Sequence, residues 1–118
     1  MNTFPTQLFI NGELKNSSSG KRLAQINPAS EAVFTEVAAA SVNDLNGAVE
    51  GAHQAFLKGW RDLPPGKRSE ILFNVAQRLR ENCERLAQLE CQNVGKPIRE
   101  ARDEIMLGAR VFEFYAGA

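Results

Sequence analysis

Apolar residues at Leu72, Val75, Ala76, Leu79, Cys83, Leu86 and Ala87 recur at three- and four-residue steps. At about 100° per residue these positions form one stripe on a helix. The sequence therefore predicts a single long amphipathic helix from Pro65 to Pro97. A proline suited to the first helical turn opens it, and Asn93-Val94-Gly95-Lys96-Pro97 closes it. The same wheel, projected onward, puts Glu90 in the middle of the stripe. A carboxylate there is either solvated, because the helix has run past the body, or buried and hydrogen-bonded.

The pattern changes period upstream. Leu8-Phe9-Ile10, Asn11-Gly12 and Glu13-Leu14 predict a β-hairpin, because Asn-Gly supplies the two positive φ angles of a type I′ turn. Asn16 to Lys21 is a polar connector, Arg22 to Ile26 a further strand stopped by Asn27-Pro28, and Ala32 to Ala38 the next. In that strand Val33, Thr35 and Val37 share one face, with Phe34 and Glu36 opposite. Ser41 with Asp44 three residues on forms a capping box ahead of Leu45, Ala48, Val49, Ala52, Ala55 and Phe56, which predicts a first helix from Val42 to about Leu57. Gly47 and Gly51 weaken it by roughly 1 kcal/mol each relative to Ala and point to a close neighbour.

Beyond the Gly95 stop, Pro97 opens a third helix through Gly117. Its expected buried face is Ala101, Ile105, Gly108, Ala109, Phe112, Tyr115 and Ala116, with Arg99, Arg102, Asp103, Arg110 and Glu113 opposite. Arg99 and Asp103 are spaced to pair. Glu104 falls between these faces, at the edge of the apolar wall. The resulting fold is α+β, with a hairpin and short strands over 1–40 and three helices over 41–118.

Composition narrows the function classes. The chain has 118 residues, 43% of them hydrophobic, enough for one modest domain. Fourteen basic and fourteen acidic residues cancel, without the basic bias of a nucleic-acid or membrane-surface binder. No apolar run suits a membrane span, so the expected location is the cytoplasm. Cys83 and Cys91 lie about 12 Å apart along the predicted helix, too far for a disulfide, and the lone histidine, His53, is on another helix. They read as packing thiols. Gly20-Lys21 and Gly95-Lys96 lack the upstream Gly and following Ser or Thr of a phosphate loop, and no Gly-x-Gly-x-x-Gly occurs. Asp103 and Glu104 point about 100° apart, so they do not face each other as an acid–base pair would. Read alone, the residues present scaffold without a catalytic set.

An ordered series of short motifs carries more information. Leu8-Phe9-Ile10-Asn11-Gly12-Glu13, Ser19-Gly20-Lys21, Ile26-Asn27-Pro28-Ala29-Ser30, Ala52 to Trp60, Glu90 to Pro97 and Phe112 to Gly117 together resemble the N-terminal segment of the NAD(P)-dependent aldehyde dehydrogenases. Asn-x-Gly-Lys-Pro and Phe-x-Phe-Tyr-Ala-Gly look most like the betaine-aldehyde and aminobutyraldehyde branch. The resemblance implies the α/β, Rossmann-like fold of that family, of which this chain would be an incomplete N-terminal portion of the cofactor-binding domain. It implies oxidation of an aldehyde to the acid with NAD or NADP by a homo-oligomeric complete enzyme. There a cysteine thiolate and a glutamate, both beyond Ala118, attack the aldehyde and activate water.

Several consequences for individual residues follow from the resemblance. No catalytic or cofactor-binding residue falls within this chain, its partner is the rest of the polypeptide, and the isolated chain is expected to be inactive and marginally stable. The alternative is a non-catalytic module derived from the same scaffold. Relatives bind a monovalent cation near Gln25 and Ile26 and through a carboxylate whose position here is Asn93, which keeps an oxygen but loses the charge. Glu104 corresponds to an acid at the substrate entrance of aminoaldehyde-oxidising relatives. Where the family often has Gly-Glu after the Asn-Pro turn, this chain has Glu31-Ala32. Glu90 is expected to be exposed here and to face further parts of a larger body in the complete enzyme.

Overall fold

The computed structural model describes residues 4–118. Four strands and four helices follow in order: β1 (Leu8–Ile10), β2 (Glu13–Lys15), β3 (Arg22–Ile26), β4 (Val33–Ala38), α1 (Val42–Ala55), α2 (Pro65–Glu81), α3 (Cys83–Val94) and α4 (Ile98–Gly117). They form two compact units, one of residues 4–26 with 31–62, the other of 27–30 with 63–118. This is the α+β arrangement expected, with one more helix than the sequence predicts.

The first unit holds two antiparallel hairpins. β1 pairs with β2, Phe9 opposite Leu14, across Asn11 and Gly12 at φ 55° and 81°, the positive pair that a type I′ turn needs. β3 pairs with β4 from Arg22 opposite Ala38 to Ile26 opposite Val33, with a bulge between Gln25 and Ile26. The Ala38 amide donates to the Thr6 carbonyl and the Ala39 amide to that of Lys21, stitching the strand ends together.

The predicted capping box forms. Asp44 Oδ2 accepts from the Ser41 amide at 2.8 Å, and Ser41 Oγ accepts from the Asp44 amide at 3.2 Å. The same carboxylate also accepts from Ser17 Oγ at 3.1 Å and from the Ser18 amide at 3.2 Å, so it ties the Ser17–Gly20 turn to the start of α1. Ser17 is buried as a result. α1 itself buries no residue; Val42, Leu45 and Val49 stand exposed along it. The close neighbour that the glycines imply is real at Gly51, where a Cβ would meet the Asn11 side chain, and absent at Gly47. The helix does not end at Leu57 in regular form: Phe56–Trp60 winds as a π-helical turn, the Arg61 amide reaching the Phe56 carbonyl.

In the second unit the predicted Pro65–Pro97 helix is divided in two. Asn82 sits at φ −104°, ψ 10°, off helical geometry, with both its amide and its side-chain Nδ2 bonded to the Arg78 carbonyl. The side chain competes for the backbone acceptor, which is how Asn disrupts helices. The apolar stripe runs across the break because Leu86 still bonds back to Asn82.

α4 packs along both α2 and α3. The fully buried side chains of this unit are small: Ala76, Ala87, Ala101, Ala109 and, at 4% exposure, Ala116. Ile105 and Gly108 of the predicted face are half-buried, whereas Phe112 and Tyr115 are exposed. The covered positions of this face are the short alanines. Cross-helix ion pairs flank the alanines. Arg80 grips Glu113 at 2.6 and 2.7 Å, and Arg102 grips Glu84 at 2.7 and 2.9 Å, both through two guanidinium nitrogens. Glu113 and Arg102, placed by the wheel on the solvent side, thus tie α4 to its neighbours. No large side chain among the described residues is fully buried.

Candidate functional site

The α3–α4 junction gathers the charged residues singled out from the sequence. Gly95 ends α3 at φ 73°, ψ 17°, its amide bonded to the Cys91 carbonyl at 3.0 Å. A Cβ at this position would lie 2.8 Å from Pro28 Cγ, so only glycine fits both the left-handed backbone and the Asn27–Ser30 turn against it. That stop directs Lys96 between two carboxylates. Its Nζ donates to Glu104 on α4 and lies 3.5 Å from Glu90 Oε1 on α3. The Glu104 hydrogen bond and the two negative charges hold the Lys96 ammonium above the ordinary lysine range.

Exposure differs across the trio. The Glu104 side chain is 57% exposed, as the wheel placed it, while Glu90 is 36% and Lys96 25% exposed. Glu90 is therefore neither solvated nor sealed in the core; it is half-buried and ion-paired. Lys96, read from the sequence as helix punctuation, is the residue that joins the two acids. No helical spacing reveals it, because the pairing spans the chain reversal at Gly95.

The remaining candidates are spread over β3, α1 and α3. Cys83 and Cys91 are free thiols on α3, and Cys83 Sγ donates weakly to the Arg102 carbonyl at 3.8 Å. Ile26 ends β3 in the first unit, beside Gln25, and Asn93 lies exposed near the end of α3 in the second. His53 is exposed in the last turn of α1. Among the described residues no group of three or more His, Cys, Asp or Glu is placed to hold a metal ion. No helix among them is long and apolar enough to cross a membrane. At the Asn82 break, Ile71, Val75, Leu79 and Leu86 line an open groove together with Asn74, Arg78 and Arg85.

Both sheets are two-stranded and antiparallel, so the described residues form no parallel strand–turn–helix unit of the kind that cradles a dinucleotide pyrophosphate. What they define is a helical scaffold with a charged corner. The aldehyde dehydrogenase family model matches residues 14–118, and the chain belongs to that family. It is 36% identical over 96% of its length to an aldehyde dehydrogenase of Davidiella tassiana, covering 23% of that protein. It is 38% identical over 95% of its length to the mitochondrial aldehyde dehydrogenase family 2 member B4 of Arabidopsis thaliana, covering 21% of it. A betaine aldehyde dehydrogenase of Staphylococcus aureus, solved with NAD+, superposes with a TM-score of 0.93 over 98% of this chain and 24% of that one, at 26% identity. The chain thus spans less than a quarter of the length of these relatives.

Proposed function

We propose that this chain is the N-terminal part of the cofactor-binding domain of an NAD(P)-dependent aldehyde dehydrogenase, whose complete polypeptide oxidises an aldehyde to the carboxylic acid as a homo-oligomer. The observation that carries this reading is the family match over residues 14–118. In this reading the chain supplies scaffold: neither Cys83 nor Cys91 is the nucleophile, and the nicotinamide cofactor is held by other parts of the polypeptide.

For the substrate we propose an aldehyde with an ammonium end, of the betaine-aldehyde or aminoaldehyde type, met at the entrance by Glu104. The exposure of that carboxylate at the edge of α4 supports the assignment, as does the structural likeness to a betaine aldehyde dehydrogenase. An exposed charge of this kind contributes about 1 kcal/mol at most.

The division of labour is tested by following NAD(P)H formation with the purified 118-residue chain and with the complete polypeptide. Turnover is expected only from the latter. Aldehyde oxidation by the chain alone, abolished by Cys83→Ala or Cys91→Ala, would overturn the scaffold reading. For the substrate class, Glu104→Gln in the complete enzyme is expected to lower selectivity for a cationic over a neutral aldehyde; unchanged selectivity refutes it.

A further inference from the structure

We propose that Lys96 is a specificity-determining residue: an internal ammonium that occupies Glu104, with which a cationic aldehyde must compete. This rests on the reading of Glu104 as the entrance acid and adds a second residue with its own, separable consequence.

The geometry has three parts. First, the Lys96 ammonium already donates to Glu104, so the acid offered to an incoming cation is partly neutralised by the chain itself. Second, Lys96 is anchored between the left-handed Gly95 and Pro97, and its side chain is only 25% exposed, whereas Glu104 is 57% exposed. More than half of the Glu104 side chain therefore stays open to solvent with Lys96 in place. Third, Glu90 Oε1 lies 3.5 Å from the same Nζ. It is a second seat for the ammonium, so Lys96 can yield Glu104 without being left unpaired in a half-buried corner, which would be costly. Two carboxylates and one ammonium leave one net negative charge, matched to one organic cation. A carboxylate in the apolar stripe of α3 then has a use: it receives Lys96 when the substrate takes Glu104.

A purely structural role, in which the trio only staples α3 to α4, predicts changes in stability but none in discrimination between charged and uncharged substrates. The discriminating quantity is thus the ratio of kcat/KM for betaine aldehyde to that for its uncharged tert-butyl isostere, measured in the complete enzyme. Lys96→Met is expected to raise the ratio about two- to fivefold, the scale of one exposed ion pair, and the gain should shrink at high salt. Glu90→Gln is expected to lower it, because Lys96 loses its alternative seat and holds Glu104 harder. In a Glu104→Gln background, Lys96→Met should have no further effect on the ratio. Lys96→Gln, which keeps a polar side chain of similar reach, gives the same reading if the Met variant folds poorly.

The failures separate. If Glu104→Gln lowers the ratio but neither Lys96 variant raises it, the entrance acid stands and the role of Lys96 falls. If Glu104→Gln leaves the ratio unchanged, the entrance reading falls and the competition with it. An effect of Lys96→Met that persists without Glu104 also overturns the proposal, since Lys96 would then act on something else.

Discussion

Replacing Gly95 with alanine separates the two reasons for a glycine at the α3–α4 turn. The backbone sits at φ 73°, where an L-residue with a Cβ is disfavoured by about 1–2 kcal/mol. The added methyl would also lie 2.8 Å from Pro28 Cγ. A proline ring cannot swing away as a long side chain can, so the turn must move, and overpacking of this kind costs about 1–3 kcal/mol. Gly95→Ala should therefore destabilise by about 2–5 kcal/mol. Gly20 provides the internal control: its φ is 68°, but a Cβ there meets nothing within 4 Å. Gly20→Ala should cost only the backbone part, about 1–2 kcal/mol. Urea unfolding followed by far-ultraviolet circular dichroism, with trimethylamine N-oxide added to lift the baseline stability, measures both. Adding Pro28→Ala removes the ring atoms and should recover about 1 kcal/mol or more of the Gly95→Ala loss as a non-additive term. A Gly95→Ala cost no larger than that of Gly20→Ala, or one that Pro28→Ala leaves intact, refutes the close-contact argument.

Asp44 should make the first unit sensitive to acid. Hydrogen bonds from Ser41 and Ser18 lower its carboxyl from the ordinary 3.8 to about 2. Because the folded value is depressed, its stabilising contribution is present above the ordinary carboxylate range and is lost as the pH falls through about 2. Carbon-13 titration of the side-chain carboxyl should show the low value, and Asp44→Asn should remove this part of the acid dependence. On α1, Gly47→Ala should stabilise by about 0.5–1 kcal/mol in the same urea assay, since nothing opposes the new methyl. Gly51→Ala should gain less, because the Asn11 side chain must move aside. Glu31, where the family often has glycine, sits at φ 58°. Glu31→Asn should raise the unfolding midpoint by the equivalent of about 0.5–1 kcal/mol, as Asn tolerates that conformation better; no rise would show that the left-handed backbone carries no strain.

What the sequence made legible was local. Asn11-Gly12, Ser41 with Asp44, and Gly95 each encode a backbone geometry within a few residues, and each appears where expected. The break at Asn82 was hidden because the apolar period runs through it undisturbed, and a single Asn is a weak signal within a helix. Phe112 and Tyr115 share the helical period of the buried face yet stand exposed, because periodicity marks a face and not how far along it a neighbour reaches, whereas the covered positions of α4 are alanines. The Arg80–Glu113, Arg102–Glu84 and Lys96–Glu104 pairs join residues with no regular spacing, so only the packed helices bring them together. At the charged corner the wheel put Glu104 at the edge of the apolar face, where it is exposed, whereas the pairing of Lys96 had no periodic signal.

The alanine contact line also decides how this scaffold can be damaged. In most cores the severe substitutions are truncations, which leave holes behind. Here the completely covered side chains, Ala76, Ala87, Ala101 and Ala109, have almost nothing to remove, and the larger side chains along the same helices are already partly wet. Injury has to come by addition. A valine or leucine at Ala109 would wedge α4 outward and drag its ion pairs apart, while shortening Leu107 or Phe114 would leave the helix where it is.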